Sequence, residues 1–298
     1  MMKKQAKATL KASKAQIGII GGSGLYQMEG LKEMKEVAIS TPFGKPSGKF
    51  ILGKLEGVPV AFLPRHGIGH TLLPSEINYR ANLYGLKQLG VTAILSVSAV
   101  GSMKKEIPPG HIVVPDQFYD LTKGRKSSFF GNGIVAHVSL ADPICPEIAK
   151  TVALASEASG AVVHRGGTYI CMEGPQFSTR AESHIHRQWS VSVIGMTNAT
   201  EAKLAREAEI CYVTLALSTD YDCWHVSEAP VTSERVIQVL LANVALSKRI
   251  ITAAVQKIDS TRHCRCGSAL QNAIVTDLRY APSKTKKDLN LLIGKYCV

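Results

Sequence analysis

Four short apolar runs in this chain each lead into residues suited to holding a small dianion. Residues 16–20 run into Gly21-Gly22-Ser23-Gly24, and residues 58–63 into Pro64-Arg65-His66-Gly67-Ile68-Gly69-His70. Residues 91–97 are followed by Ser98-Ala99-Val100-Gly101-Ser102, and residues 191–194 by Gly195-Met196-Thr197-Asn198. Glycine lets the backbone approach an anion and offer N–H donors. Arg adds a bidentate fork, and Ser and Thr hydroxyls reach the remaining oxygens. Singly, each feature also has an ordinary reading: a structural glycine turn, a surface ion pair at Arg65, loop histidines at His66 and His70. Residue 27 is Gln, so Gly22-Ser23-Gly24 is not a dinucleotide fingerprint, and no Gly-Lys-Ser/Thr ending marks a P-loop.

A fifth apolar run, 211–217, ends in Ser218-Thr219-Asp220-Tyr221-Asp222-Cys223-Trp224. On an extended chain Asp220 and Asp222 share a face. Two carboxylates there suit recognition of a base carrying amino and ring-nitrogen groups; a helix cap or a metal-free turn is the plainer alternative.

These residues need strand ends to position them. Residues 50–55 and 58–63 flank Glu56-Gly57 and read as a hairpin. Helical spacing covers 75–89 up to Gly90, and a second helix starts at Asp142-Pro143 and runs to Gly160. Further strands are expected at 111–115 and 168–172, with helices near 179–189, 200–207 and 233–258. Strands alternating with helices predict a single-domain α/β fold, a mostly parallel or mixed sheet with helices about it and ligands beyond the strand ends. Residues 1–15 read as a basic flexible tail and 16–298 as the folded domain.

The net charge of +12, from 35 Lys and Arg against 23 Asp and Glu, owes much to Lys3, Lys4, Lys7, Lys11 and Lys14 in that tail. No basic stripe with interleaved aromatics favours nucleic acid. No apolar run approaches the roughly 18 residues of a membrane span, and the N-terminus lacks a secretory apolar region. Seven cysteines, mostly in apolar runs as at Cys171 and Cys211, suit a reducing compartment. Cys264 and Cys266 form a Cys-x-Cys pair beside His263, without a partner pair in zinc spacing, so no metal is expected. A redox-sensitive pair and plain exposed thiols both stay open.

The segments Gly18-Ile19-Ile20-Gly21-Gly22-Ser23-Gly24, Thr41-Pro42-Phe43-Gly44-Lys45-Pro46-Ser47, Pro64-Arg65-His66-Gly67, Met172-Glu173-Gly174-Pro175-Gln176-Phe177-Ser178-Thr179-Arg180-Ala181-Glu182-Ser183 and Thr219-Asp220-Tyr221-Asp222-Cys223-Trp224 resemble those of the 5′-methylthioadenosine phosphorylases. The likeness spans residues 16–258. It implies the nucleoside phosphorylase fold, a homotrimer in the cytoplasm and also the nucleus, and a role in purine and methionine salvage. It implies inorganic phosphate as co-substrate, with no cofactor, metal, nucleic-acid or membrane partner. Phosphate would be held by Ser23, Arg65, His66, Ser98, Ala99 and Thr197. Phe177 would stack on the purine, Met196 would lie against the ribose, and Asp220 and Asp222 would read the amino group and N7. Ser178, Ser233, Val236 and Ile237, with His137 from a neighbouring subunit, would set specificity around the 5′ group.

The chemistry suits the residues themselves. Breaking an N-glycosidic bond builds positive charge on the ribose, which a bound phosphate stabilises before attacking C1′. Adenine leaves readily once N7 is protonated, a task for Asp220 with its pKa raised by burial and by Asp222. The rival readings are a 6-oxopurine phosphorylase acting on inosine, a nucleosidase using water, and a basic nucleic-acid-binding module.

Two positions depart from the family pattern. Gly195 stands where relatives carry Asn, and Ser233 where Val is usual. A hydroxyl against an apolar methylthio group is unfavourable unless satisfied, so a polar 5′ pocket that also accepts adenosine is expected. Ser233→Val should then shift the kcat/KM ratio toward methylthioadenosine by on the order of tenfold; an unchanged ratio rejects the polar pocket.

Overall fold

The computed structural model describes residues 15–22, 25, 28–225, 233–259 and 263–297, with backbone alone for 233–242. The segment 1–14 and Ser23 lie outside the described residues, as do the side chains of Ser233, Val236 and Ile237.

The expected strands form, in a sheet of eleven: β1 (Ile17–Gly21), β2 (Leu31–Val37), β3 (Phe50–Leu55), β4 (Val58–Pro64), β5 (Ala93–Ser102), β6 (Ile112–Val114), β7 (Gln117–Asp120), β8 (Val163–Arg165), β9 (Thr168–Cys171), β10 (Val193–Gly195) and β11 (Cys211–Asp220). The main path runs β2-β3-β4-β1-β5-β10-β9-β7, with β11, β6 and β8 branching from β5. The sheet is mixed: β1 lies parallel to β4 and β5, and β5 parallel to β11, whereas β10 is antiparallel to β5. The hairpin between β3 and β4 closes as expected, with Glu56 at φ 50° and Gly57 at φ 81°, the positive values a two-residue turn needs. Strands β2, β7 and β8 are absent from the sequence reading. Strand β2 has only Leu31 buried, so its apolar signal is weak.

Among the described residues six helices flank the sheet: α1 (Tyr79–Gln88), α2 (Pro146–Ala158), α3 (Arg180–Gln188), α4 (Asn198–Glu207), α5 (Ser233–Val255) and α6 (Ser283–Ile293). Two helix starts are corrected. Helix α1 begins only after Asn78, whose Oδ1 accepts from the Ala81 N–H at 3.1 Å. Helix α2 begins at Pro146, not at Pro143; Cys145 caps it, and the rule of Pro in the first turn applies to the later proline. Gly90 and Gly160 follow α1 and α2 with φ of 90° and 82°, the left-handed stop that glycine supplies. Thr179 and Glu182 form a reciprocal capping box on α3, fixing the exit of the Met172–Ser178 loop.

The main apolar core joins β1, β3, β4, β5 and β11 to the buried faces of α1, α2, α4 and α5. Among the described residues no helix is long and apolar enough to cross a membrane. The Cys264 and Cys266 pair has more company than its sequence suggests: Cys145, at the start of α2, and Cys211, opening β11, bring their sulfurs beside it.

Candidate active site

Arg65 follows β4 directly and stays tied to β1, its N–H donating to the Gly21 carbonyl at 3.0 Å. Its side chain is buried and runs beneath β5. Nε donates to Glu201 Oε1 at 2.5 Å, Nη2 to Ser96 Oγ at 2.6 Å, and Nη1 to the Val97 carbonyl at 3.0 Å. The fork expected to grip phosphate therefore faces Glu201, a correction that leaves the second Nη1 hydrogen, of the five a guanidinium carries, to reach an anion. Burial works against the Arg65 charge, but the Glu201 carboxylate outweighs it and raises the pKa further.

Glu201 sits in the first turn of α4, where the helix dipole favours a carboxylate. Its Oε2 also accepts from Ser96 Oγ at 2.6 Å and from the Tyr212 hydroxyl at 2.8 Å. Asn198 extends the network: Nδ2 reaches Thr214 Oγ1 at 2.8 Å and Tyr212 at 3.0 Å, and Oδ1 accepts from Thr197 Oγ1 at 3.0 Å and the Tyr169 hydroxyl at 3.2 Å. Arg65 and Thr197, 132 positions apart by subtraction (197 − 65), are thereby members of one buried polar network.

Strand β5 supplies the open backbone. Strand β1 pairs with it only as far as Ser96, and β10 only from Gly101. Between them, no strand among the described residues pairs with 97–100 on that edge. The Val97 carbonyl turns to Arg65 there, whereas the Val100 carbonyl faces Thr219 Oγ1 of β11. Alternation along the strand directs the Ala99 amide to the Arg65 side. Ser98 Oγ lies 3.4 Å from the Tyr169 hydroxyl. This ties the Ser98-Ala99 stretch of β5 to the Thr197 loop through Tyr169.

His66 is half-buried, with Nδ1 2.9 Å from the Leu72 carbonyl, so the neutral ring donates there and leaves Nε2 an acceptor. Burial, then the Arg65 charge, lowers its pKa from 6.5 to about 4. His70 stacks on it at 4.2 Å.

Asp220 ends β11, half-buried, and accepts from Thr219 Oγ1 at 2.8 Å and from the Asp222 N–H at 2.7 Å. The chain turns at once: Asp222 has φ 52°, so the two acids are held by an Asx turn and do not share an extended face. Burial pushes the Asp222 carboxyl up. Of the two acids, Asp222 is the more deeply buried. A Cβ on Gly101 would lie 3.0 Å from Asp220 Oδ1 and 3.4 Å from the Asp222 Cβ, so this glycine admits the acids against β5.

Phe177 is 41% exposed, so its ring is no part of the core and is available for stacking. Met196 is half-buried, its sulfur 2.5 Å from where a Cβ on Gly174 would stand. Ser178 lies beside the acids, its carbonyl 3.3 Å from Cys223 Sγ. His137 is exposed on a separate segment, its N–H bonded to the Ala273 carbonyl.

Sequence reading missed Arg125, whose nearly buried guanidinium donates to the Glu173 carboxylate at 3.1 Å, the Glu173 carbonyl at 2.6 Å and the Met196 carbonyl at 2.5 Å. It clamps the Phe177 loop to the Met196 loop. It also missed Glu201, four residues after Thr197 in the first turn of α4, and the part Asn198 plays in the buried network. A cavity of about 350 Å³ opens beside Arg125 and is lined by Tyr79, Arg80 and Lys126, but by none of the expected residues. Gly195 is explained by Tyr169: a Cβ there would stand 1.9 Å from the tyrosine hydroxyl.

Residues 16–256 match the family model of the Phosphorylase superfamily. The chain belongs to that superfamily. It is 59% identical to the S-methyl-5′-thioadenosine phosphorylase of Geobacter sulfurreducens, over 94% of this chain and 98% of that relative. Among solved structures, a methylthioadenosine phosphorylase sourced from an antarctic soil metagenomic library matches with 51% identity and a TM-score of 0.90, covering 94% of this chain and 99% of that one. A double mutant of the adenosine/methylthioadenosine phosphorylase from Schistosoma mansoni in complex with adenine matches with 34% identity and a TM-score of 0.81, covering 88% and 100%.

Glu201→Gln should lower the unfolding free energy by about 3–5 kcal/mol, because Arg65 is left buried without its counter-charge. Denaturant titration checks this, and an unchanged midpoint rejects it. Because the pKa of His66 falls on folding, its contribution is complete above pH 6.5 and is lost as the pH falls toward about 4. Stability measured at pH 7 and pH 5 should therefore differ less in His66→Asn than in the native chain; an equal difference contradicts this.

Proposed function

We propose that this protein cleaves 5′-methylthioadenosine by phosphorolysis, giving adenine and 5-methylthioribose 1-phosphate. The observation that carries the reading is the meeting of three features along residues 97–101 of β5: the Arg65 network, the Ala99 amide, and the acid pair packed over Gly101. Relatives of the same name match the chain over nearly their whole length.

In this reading phosphate lies between the remaining Arg65 Nη1 hydrogen, the Ala99 amide and the hydroxyls of Ser98, Thr197 and Ser23, with His66 Nε2 accepting a hydrogen bond from a protonated phosphate oxygen. The C1′–N9 bond lengthens first, the phosphate charge stabilises the cationic ribose, and a phosphate oxygen closes on C1′. The electron pair of the broken bond goes to adenine, which takes a proton at N7. The pair Asp220 and Asp222 shares that proton: burial raises Asp222, and two donors hold Asp220 as the acceptor that orients the base. Phe177 covers the purine, and Met196 supports the ribose.

Three finer assignments go with this reading. A homotrimer brings His137 of one subunit to the 5′ group of the next, with a solution mass of three chains as its test. The seven free cysteines suit a reducing cytoplasm. The Schistosoma relative's name includes adenosine, which favours a pocket that accepts both nucleosides.

Adenine release from methylthioadenosine and adenosine, with inosine inert, is the expected pattern; turnover of inosine at a comparable rate overturns the adenine assignment. Asp220→Asn and Asp222→Asn should each lower turnover by on the order of 100-fold or more. Near-normal rates in both rule out their role as acid.

A further inference from the structure

Four cysteines far apart in the chain converge at the end of β11 opposite the candidate active site. The sulfurs of Cys145, Cys211, Cys264 and Cys266 all lie within 4.8 Å of one another. Cys211 opens β11, whose other end carries Asp220, nine residues or roughly 30 Å away along the strand. Cys145 caps α2, and Cys264 and Cys266 bracket the start of a short turn after α5. Cys145, Cys211 and Cys266 are buried in the main core, and Cys264 is partly covered.

We propose that these four thiolates form a structural zinc site, one ion per chain. Four sulfurs at the usual Zn–S distance of about 2.3 Å stand about 3.8 Å from one another in a tetrahedron. The cluster is already near that size, and its Cys211–Cys264 separation is 3.3 Å, well beyond a sulfur–sulfur bond of about 2.05 Å. Two disulfides would gather the sulfurs in pairs, whereas mutual proximity of all four fits a single central ion. A closed set of four protein ligands leaves no position for water, which marks a structural rather than a catalytic centre.

The surroundings suit the charge. A zinc tetrathiolate carries two net negative charges. The N-terminus of α2 points its free N–H groups toward Cys145, and Arg206 donates to the Asp142 carbonyl three residues earlier. Arg265 lies between two of the ligands in sequence. The ion would add a central fastening to three segments, the start of α2, the start of β11 and the chain beyond α5, which the Cys145 N–H to the Tyr212 carbonyl at 3.0 Å and the His263 N–H to Glu147 Oε2 at 3.3 Å already bring together. Its position accounts for the Cys-x-Cys pair that the active site does not use.

The test is metal analysis of the full chain purified without chelator and with oxygen excluded. About one zinc per chain is expected, with X-ray absorption showing four sulfur neighbours at about 2.3 Å. Removing the ion should lower Tm and expose four thiols to titration. Cys264→Ser, the least buried ligand and remote from the nucleoside, should bind zinc at least about tenfold more weakly, the low end of what loss of even an outer hydrogen-bonding partner costs. Three results would each overturn the site: four free thiols that take up no added zinc, a mass lowered by one or two pairs of hydrogens through disulfide formation, or a zinc affinity of Cys264→Ser, measured by chelator competition, equal to that of the native chain. None of these bears on phosphorolysis, so the two readings fail separately.

Discussion

The buried ion pair between Arg65 and Glu201 is the constraint on which the site depends. It joins the residue after β4 to the first turn of α4, and through Ser96, Tyr212 and Asn198 it takes in β5 and β11. A guanidinium so fully buried is tolerable only with a carboxylate beside it and hydrogen bonds to most of its N–H groups. The pair is thus held in one geometry, and its nearly neutral sum leaves one positively polarised N–H edge beside the open backbone of β5. The same network fixes Thr197 through Asn198. The proposed anion site is therefore built before any anion arrives, which is the arrangement that would let a bound phosphate stabilise developing charge without reorganisation.

Strand β5 is the second organising element. It has one neighbour, β11, along most of its length, but changes partner on the other edge from β1 to β10. The interval between the partners frees backbone groups at Ser98-Ala99 while the strand stays anchored at both ends. Three glycines make the surrounding fit possible. Gly101 admits the acids, Gly195 clears the Tyr169 hydroxyl, and Gly174, at φ 69°, accepts Met196. Arg125 then locks the loops carrying Met196 and Phe177 to each other.

Much of this was legible in the residues. The hairpin at Glu56-Gly57, the helix stop at Gly90 and the strand ends bearing Arg65, Thr197 and Asp220 follow from turn chemistry and apolar runs, because those signals are local, whereas Ser98, expected just after a strand, lies inside β5. The direction of the Arg65 fork was not legible, since Glu201 lies 136 positions away and only the fold brings it near. The Asx turn at Asp222 escaped because an alternating pattern says nothing about where a strand ends. Likewise Cys264 and Cys266 looked isolated because Cys145 and Cys211 belong to other elements. Strand β2 has too little buried surface to write a period into its sequence.

The most direct test is the rate of adenine release from methylthioadenosine as phosphate is raised from zero. The account predicts no release without phosphate, saturation as phosphate is added, and a sugar product that carries the phosphate at C1′. Release at the same rate without phosphate, yielding the free sugar, would contradict it.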